Sequence, residues 1–136
     1  MDKFKGMMTS LSPHWATPKG LYEELNAEFS FNFDPCPLCV SPNFDGLTCK
    51  WGSSNFINPP YGRDICKWIA RAVDVAQGGA TCVLLIPSRT DTKWWHDYIM
   101  KADEIRFIKG RLKFGDSKNS APFPSAIVIF RGRTNG

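Results

Sequence analysis

Apolar positions fall along this chain in short blocks that switch between a helical and a strand-like period. Leu21, Tyr22, Leu25 and Phe29 recur at helical spacing behind Thr17-Pro18, a capping hydroxyl followed by a proline suited to the first helical position. That spacing predicts a helix over roughly residues 18–28. Phe29 to Phe33 then alternates apolar and polar and stops at Asp34-Pro35, which predicts a strand with an acid at its tip. Residues 36–50 lack periodicity and read as a loop, with a short strand near Leu47-Thr48. Phe56-Ile57 reads as the end of a buried strand, because Pro59 and Pro60 have no N–H to donate to a sheet ladder. Ile65, Trp68, Ile69, Ala72, Val73 and Ala76 share one helical face over residues 64–77, closed by Gly78-Gly79. Residues 80–86 are continuously apolar, as in a central strand buried on both faces. Thr90-Asp91-Thr92 can cap a further helix carrying Trp94, Trp95, Tyr98, Ile99 and Met100. Residues 104–114 read as strands around Gly110, and 126–130 as the last buried strand. The rhythm is that of an α/β sheet whose closing strand turns antiparallel.

The chain's 136 residues suffice for one domain with a real core, so residues 1–136 are taken as a single domain and residues 1–12 as a loosely held arm. No apolar run approaches a membrane span and the N-terminus has no signal-peptide core, which makes a cytoplasmic location the expectation. Five cysteines, an odd number, suit a reducing compartment better than a disulfide framework. The net charge of +4 favours a polyanionic partner.

Several chemistries are excluded or weakened by spacing. Cys36 and Cys39 form a C-x2-C pair with Cys49 beyond it, but a structural zinc site wants four ligands and the second pair is missing. No metal is expected. No phosphate-cradling glycine loop occurs, and neither His14 nor His96 lies in a hydrolase context. The Asn58-Pro59-Pro60-Tyr61-Gly62 ledge is more informative, since it sets an amide, a stiff carbonyl and an aromatic ring at a strand end, where α/β sheets place ligands. An exocyclic aromatic amine is a poor nucleophile. Accepting hydrogen bonds from both of its N–H groups, through the Asn58 side-chain oxygen and the Pro59 carbonyl, returns electron density to nitrogen. Tyr61 could stack on the ring, which requires a base drawn out of its duplex.

With these motifs in place, the sequence resembles the phage-type DNA adenine-N6 methyltransferases that use S-adenosylmethionine. The resemblance rests on Trp15-x-Thr17-Pro18, Phe31-x-Phe33-Asp34-Pro35-Cys36, Phe56-x-Asn58-Pro59-Pro60-Tyr61-Gly62, the run from Leu85 to His96, Gly110-Arg111-Leu112-x-Phe114 and Ala121 to Ala126, in that order. It implies a class I methyltransferase (Rossmann-like) fold, a mostly parallel sheet with helices on both faces. It also implies catalytic roles for Asn58, Pro59, Pro60 and Tyr61, and a cofactor pocket at Trp15, Thr17, Pro18, Asp34 and Pro35. Arg89, Thr90, Asp91, Arg111 and Lys113 are candidates for contact with double-stranded DNA, from which the target adenine is flipped.

Two departures from the wider methyltransferase pattern stand out. Asp34-Pro35-Cys36-Pro37 replaces the glycine-rich loop that many relatives carry, and there is no room for a separate target-recognition domain. A bare domain should read a short or relaxed site, or act as a homodimer that supplies more surface. The resemblance to phage enzymes places the protein in a bacterial host cell. The alternatives are methyl transfer to RNA or to a protein glutamine amide, and a non-catalytic nucleic-acid-binding module.

Overall fold

The computed structural model describes residues 16–35, 45–114 and 120–132. Its strands are β1 (Ser54–Ile57), β2 (Thr81–Pro87), β3 (Glu104–Phe107) and β4 (Ser125–Phe130); its helices are α1 (Lys19–Phe29), α2 (Ile65–Gln77) and the short α3 (Lys93–Asp97). The sheet runs β1-β2-β4-β3. β1 pairs parallel with β2, with Ile57 opposite Leu84, whereas β4 pairs antiparallel with both β2 and β3. The architecture is therefore α/β with a four-stranded mixed sheet and three helices. The mostly parallel sheet expected from the sequence is corrected in its ladders: one is parallel and two are antiparallel among the named strands, because β4 is inserted between two strands of the opposite direction.

The alternation of side chains along β2 divides the core. Cys82, Leu84 and Ile86 pack with Ile57, with Ile65, Trp68, Ile69, Ala72 and Ala76 of α2, and with Trp95 and Ile99. Val83 and Leu85 pack instead with Phe56, Leu25 of α1, Ile127, Ile129, Phe114 and Phe123. Burial of each such side chain is worth about 1.5–3 kcal/mol, so β2, with both faces covered, is the strand around which the others are ordered. A surface network ties α1 to the far edge of the sheet: Arg106 reaches Glu28 through two 2.7 Å hydrogen bonds and also bonds Glu104, which pairs with Arg131. The Arg106 guanidinium holds the Glu28 carboxyl below its ordinary pKa.

Several expected elements differ. The strand proposed for residues 29–35 is reduced to a single parallel bridge between Phe33 and Asn55; the Asn32 side-chain oxygen accepts from the Ser54 N–H and so takes a ladder position itself. Leu47 and Thr48 form a turn rather than a strand, with both N–H groups turned onto Asp45. Thr92, whose hydroxyl accepts from the Trp95 N–H, is the cap of α3. That helix ends after five residues, and Ile99–Lys101 continues as a 3₁₀ turn. Residues 108–114 are not a strand. The arm over residues 1–12 lies outside the described residues. Among the described residues no helix is long and apolar enough to cross a membrane.

Candidate active site

Parallel strands bring their C-terminal ends to one edge of the sheet. The Phe33 segment, β1 and β2 run side by side, and with strands spaced about 4.8 Å apart Asp34, Asn58 and Ser88 fall at neighbouring tips. Residues Asp34 and Pro35 are held from behind by the 45–49 turn. A Cβ on Gly46 would lie 1.7 Å from the Pro35 carbonyl oxygen and 2.8 Å from the Trp68 ring, so only glycine allows this approach. The Gly46 carbonyl in turn accepts from the Trp51 indole N–H at 2.6 Å. At the other side of the tip, Gly62 has φ of 119°, a left-handed region open to glycine, and turns the chain from the Pro-Pro-Tyr ledge into α2.

Asn58 lies at the centre of this edge and is buried, with 8% of its surface exposed. Its amide nitrogen donates to the Thr17 hydroxyl at 3.0 Å, and its amide oxygen accepts from the Tyr61 hydroxyl at 3.2 Å. The Tyr61 hydroxyl also lies 3.4 Å from the Leu85 carbonyl. This corrects the capping role read for Thr17: α1 is capped at Pro18 with no side-chain bond, and the Thr17 hydroxyl is spent on an amide 41 residues away. The Tyr61 ring stands edge-on to Phe123 at 5.3 Å and to Phe114 at 6.4 Å between centroids. Burial pushes the Tyr61 phenol well above its ordinary value, so it remains a neutral donor and cannot serve as a base at physiological pH. The arrangement is a fixed amide, one acceptor oxygen and an aromatic wall, suited to gripping a flat ligand that carries an N–H group.

The structure brings Thr17 onto the Asn58 to Tyr61 ledge and sets Asp34 and Pro35 on the segment that bridges to β1; Trp15 lies outside the described residues. Arg89, Thr90 and Asp91 follow β2 at the same edge and are exposed, as are Arg111 and Lys113 beyond β3. The Thr90 carbonyl accepts from the His96 ring at 2.8 Å, so part of this stretch serves local structure. Arg63 and Lys109 were not singled out from the sequence, yet both are exposed near this edge. Arg63, Arg89, Lys109, Arg111 and Lys113 form no ion pair among the described residues. Phe114 and Phe123 were likewise missed as site residues; the signal available was their place in Gly-Arg-Leu-x-Phe and Pro-Phe-Pro. Cys36 and Cys39 lie outside the described residues. Among the described ones no cluster of three or more His, Cys, Asp or Glu side chains could hold a metal.

Residues 7–134 match the family described as DNA N-6-adenine-methyltransferase (Dam). A DNA N-6-adenine-methyltransferase from Haemophilus phage HP1 (strain HP1c1) is 27% identical over 134 residues, covering 85% of this chain and 77% of that protein.

Proposed function

The chain belongs to the DNA N-6-adenine-methyltransferase (Dam) family, and from that premise we propose how its sheet edge performs the reaction. The enzyme transfers a methyl group to the N6 amine of adenine in DNA. Asn58 and the Pro59 carbonyl accept the two amine N–H groups, restoring lone-pair density on nitrogen. Pro60 stiffens the ledge and Tyr61 gives the base an aromatic surface while its hydroxyl steadies the amide. The observation that carries this reading is the buried Asn58 side chain, fixed at the tip of β1 by Tyr61.

The methyl donor is S-adenosylmethionine, which when bound supplies an electrophilic sulfonium methyl. The residues present fit it: the half-buried Asp34 carboxylate, which follows the Phe33 bridge to β1, is an acceptor suited to ribose hydroxyls or a cationic amine, and we propose that Pro35 and the Trp15-to-Pro18 segment complete the pocket. No residue at the ledge is a strong base, so the amine proton leaves to solvent after transfer. Acceleration then comes from alignment and from dipoles aimed at the charge developing on nitrogen. The fold is a reduced class I methyltransferase sheet. Double-stranded DNA lies over the exposed cations Arg63, Arg89, Lys109, Arg111 and Lys113, with Thr90 and Asp91 beside them, and the adenine is flipped out to reach the ledge. The enzyme acts inside a bacterial host.

The test follows radiolabelled methyl transfer to DNA with and without adenine. Asn58→Ala should lower turnover at least 100-fold with cofactor binding nearly intact, and Asp34→Ala should weaken cofactor binding first. Full turnover by the Asn58→Ala variant would remove the assignment.

A further inference from the structure

An asparagine amide has two unlike ends. Its oxygen can accept an amine N–H; its nitrogen can only donate, and turned toward the same amine it would set donor against donor. The catalytic reading therefore needs more than Asn58 at the strand tip. It needs Asn58 in one of two orientations that differ by half a turn about its terminal bond and have nearly the same shape.

The neighbours bear on that choice. On one side is the Tyr61 hydroxyl, which has a single proton for the Asn58 oxygen at 3.2 Å and the Leu85 carbonyl at 3.4 Å. Its ring is wedged against Phe114 and Phe123 and its phenol stays protonated through burial, so it has a proton to give, here to the amide oxygen. On the other side is the Thr17 hydroxyl, 3.0 Å from the amide nitrogen. Thr17 has no duty at the start of α1, where Pro18 is the cap and no side chain contributes. Its hydroxyl is half-buried and reaches across the fold to an amide that is itself buried.

We infer that Thr17 is a positioning residue for the reaction: its hydroxyl holds the Asn58 nitrogen back and so keeps the oxygen turned to the methyl-accepting amine. This rests on the proposed role of Asn58 and reassigns the Thr17 side chain from cofactor contact to control of the catalytic amide. It also couples the two halves of the site, since the segment bordering the cofactor sets the orientation of the group that grips the base.

The experiment compares wild type, Thr17→Val, Thr17→Ser and Asn58→Ala for turnover on adenine-containing DNA at saturating S-adenosylmethionine, for cofactor dissociation constant, and for hydrogen exchange of the Asn58 side-chain amide by NMR. Thr17→Val, which keeps the shape and loses the hydroxyl, should lower kcat at least tenfold, leave cofactor affinity within twofold and speed exchange of the Asn58 amide. Thr17→Ser should return kcat to within threefold of wild type. If Thr17→Val does not fold, Thr17→Ala is measured in its place with the same expectations. Unchanged kcat, or weakened cofactor affinity at unchanged kcat, overturns the inference. Should Asn58→Ala also keep full turnover, the proposed function falls with it; an inactive Asn58→Ala beside a fully active Thr17→Val overturns the positioning role alone.

Discussion

Gly46→Ala is a small change with two readouts. The added methyl would sit 1.7 Å from the Pro35 carbonyl oxygen, 2.8 Å from its carbonyl carbon and 2.8 Å from the Trp68 ring. Ordinary contact requires the turn and the Asp34-Pro35 backbone to part by more than 1 Å, a distance no side-chain rotation can supply. Overpacking of this kind costs about 1–3 kcal/mol. Displacing the Gly46 carbonyl from the Trp51 indole, now at 2.6 Å, adds about 1 kcal/mol. At roughly 4 °C per kcal/mol for a domain of this size, the melting temperature should fall by about 8–16 °C. Cofactor affinity should fall about tenfold or more, because Asp34 moves with Pro35. Gly20→Ala is the control: it lies in α1 with nothing within 4 Å of the new methyl, so it should leave the melting temperature level or raise it slightly. Calorimetry and a cofactor titration on both variants decide the matter. Unchanged melting for Gly46→Ala would refute the packing of the turn on Pro35, and lowered melting at unchanged cofactor affinity would detach Asp34-Pro35 from the cofactor site.

Two further outcomes follow from charge and burial. Cys82 is fully buried, and desolvation pushes its thiol up to about 12 from an ordinary value near 9. A folded-state pKa raised above the unfolded one contributes stability that is complete below about pH 9 and is lost as pH rises toward 12, by up to about 1.4 kcal/mol per unit. Urea unfolding at pH 8 and pH 10 should show a steeper alkaline loss for wild type than for Cys82→Ala; equal slopes would contradict the assignment. Arg111→Ala and Lys113→Ala should each weaken DNA binding at low salt and reduce the log–log salt slope by about one, with little change in the methylated site; an unchanged slope in a filter-binding titration would place those side chains away from phosphate.

Local pattern reached far where one element is specified by its own residues. The apolar run of β2 and the one-sided face of α2 needed no knowledge of their neighbours, and both lie where periodicity places them. It failed where a partner distant in sequence decides. The antiparallel direction of β4 was expected from the sequence and is found, but nothing between residues 104 and 130 says that it inserts between β2 and β3, because an apolar strand fits either side of its neighbours. Phe29 to Phe33 alternates as a strand should, but the Asn32 amide occupies the ladder position at Ser54. Thr17 satisfies a local capping rule so well that its true partner was hidden. For the site, Asn58 and Tyr61 were legible because two prolines fix the ledge, whereas the hydrogen bond that orients the amide is a product of tertiary structure.

The same assembly bears on which adenine is chosen. The amide proposed to grip the amine is set by side chains from three distant segments, at Thr17, at Asn58 with Tyr61, and at Phe114 with Phe123. These contacts can discriminate an exocyclic amine on a flat ring, and they are fixed before DNA arrives. The exposed cations around them act on a different quantity. Arg63, Arg89, Lys109, Arg111 and Lys113 are long, exposed and in no ion pair within the described residues, and under the proposed function they track phosphates. Phosphate contacts supply affinity and register but carry no base sequence. The proposed function thus assigns chemical selectivity to buried, hydrogen-bonded groups and DNA affinity to exposed, salt-sensitive ones. Under the proposed function, the polar side chains beside the ledge, Thr90 and Asp91, are the candidates for sequence preference, so exchanging those two should alter the methylated context without altering the atom that receives the methyl group.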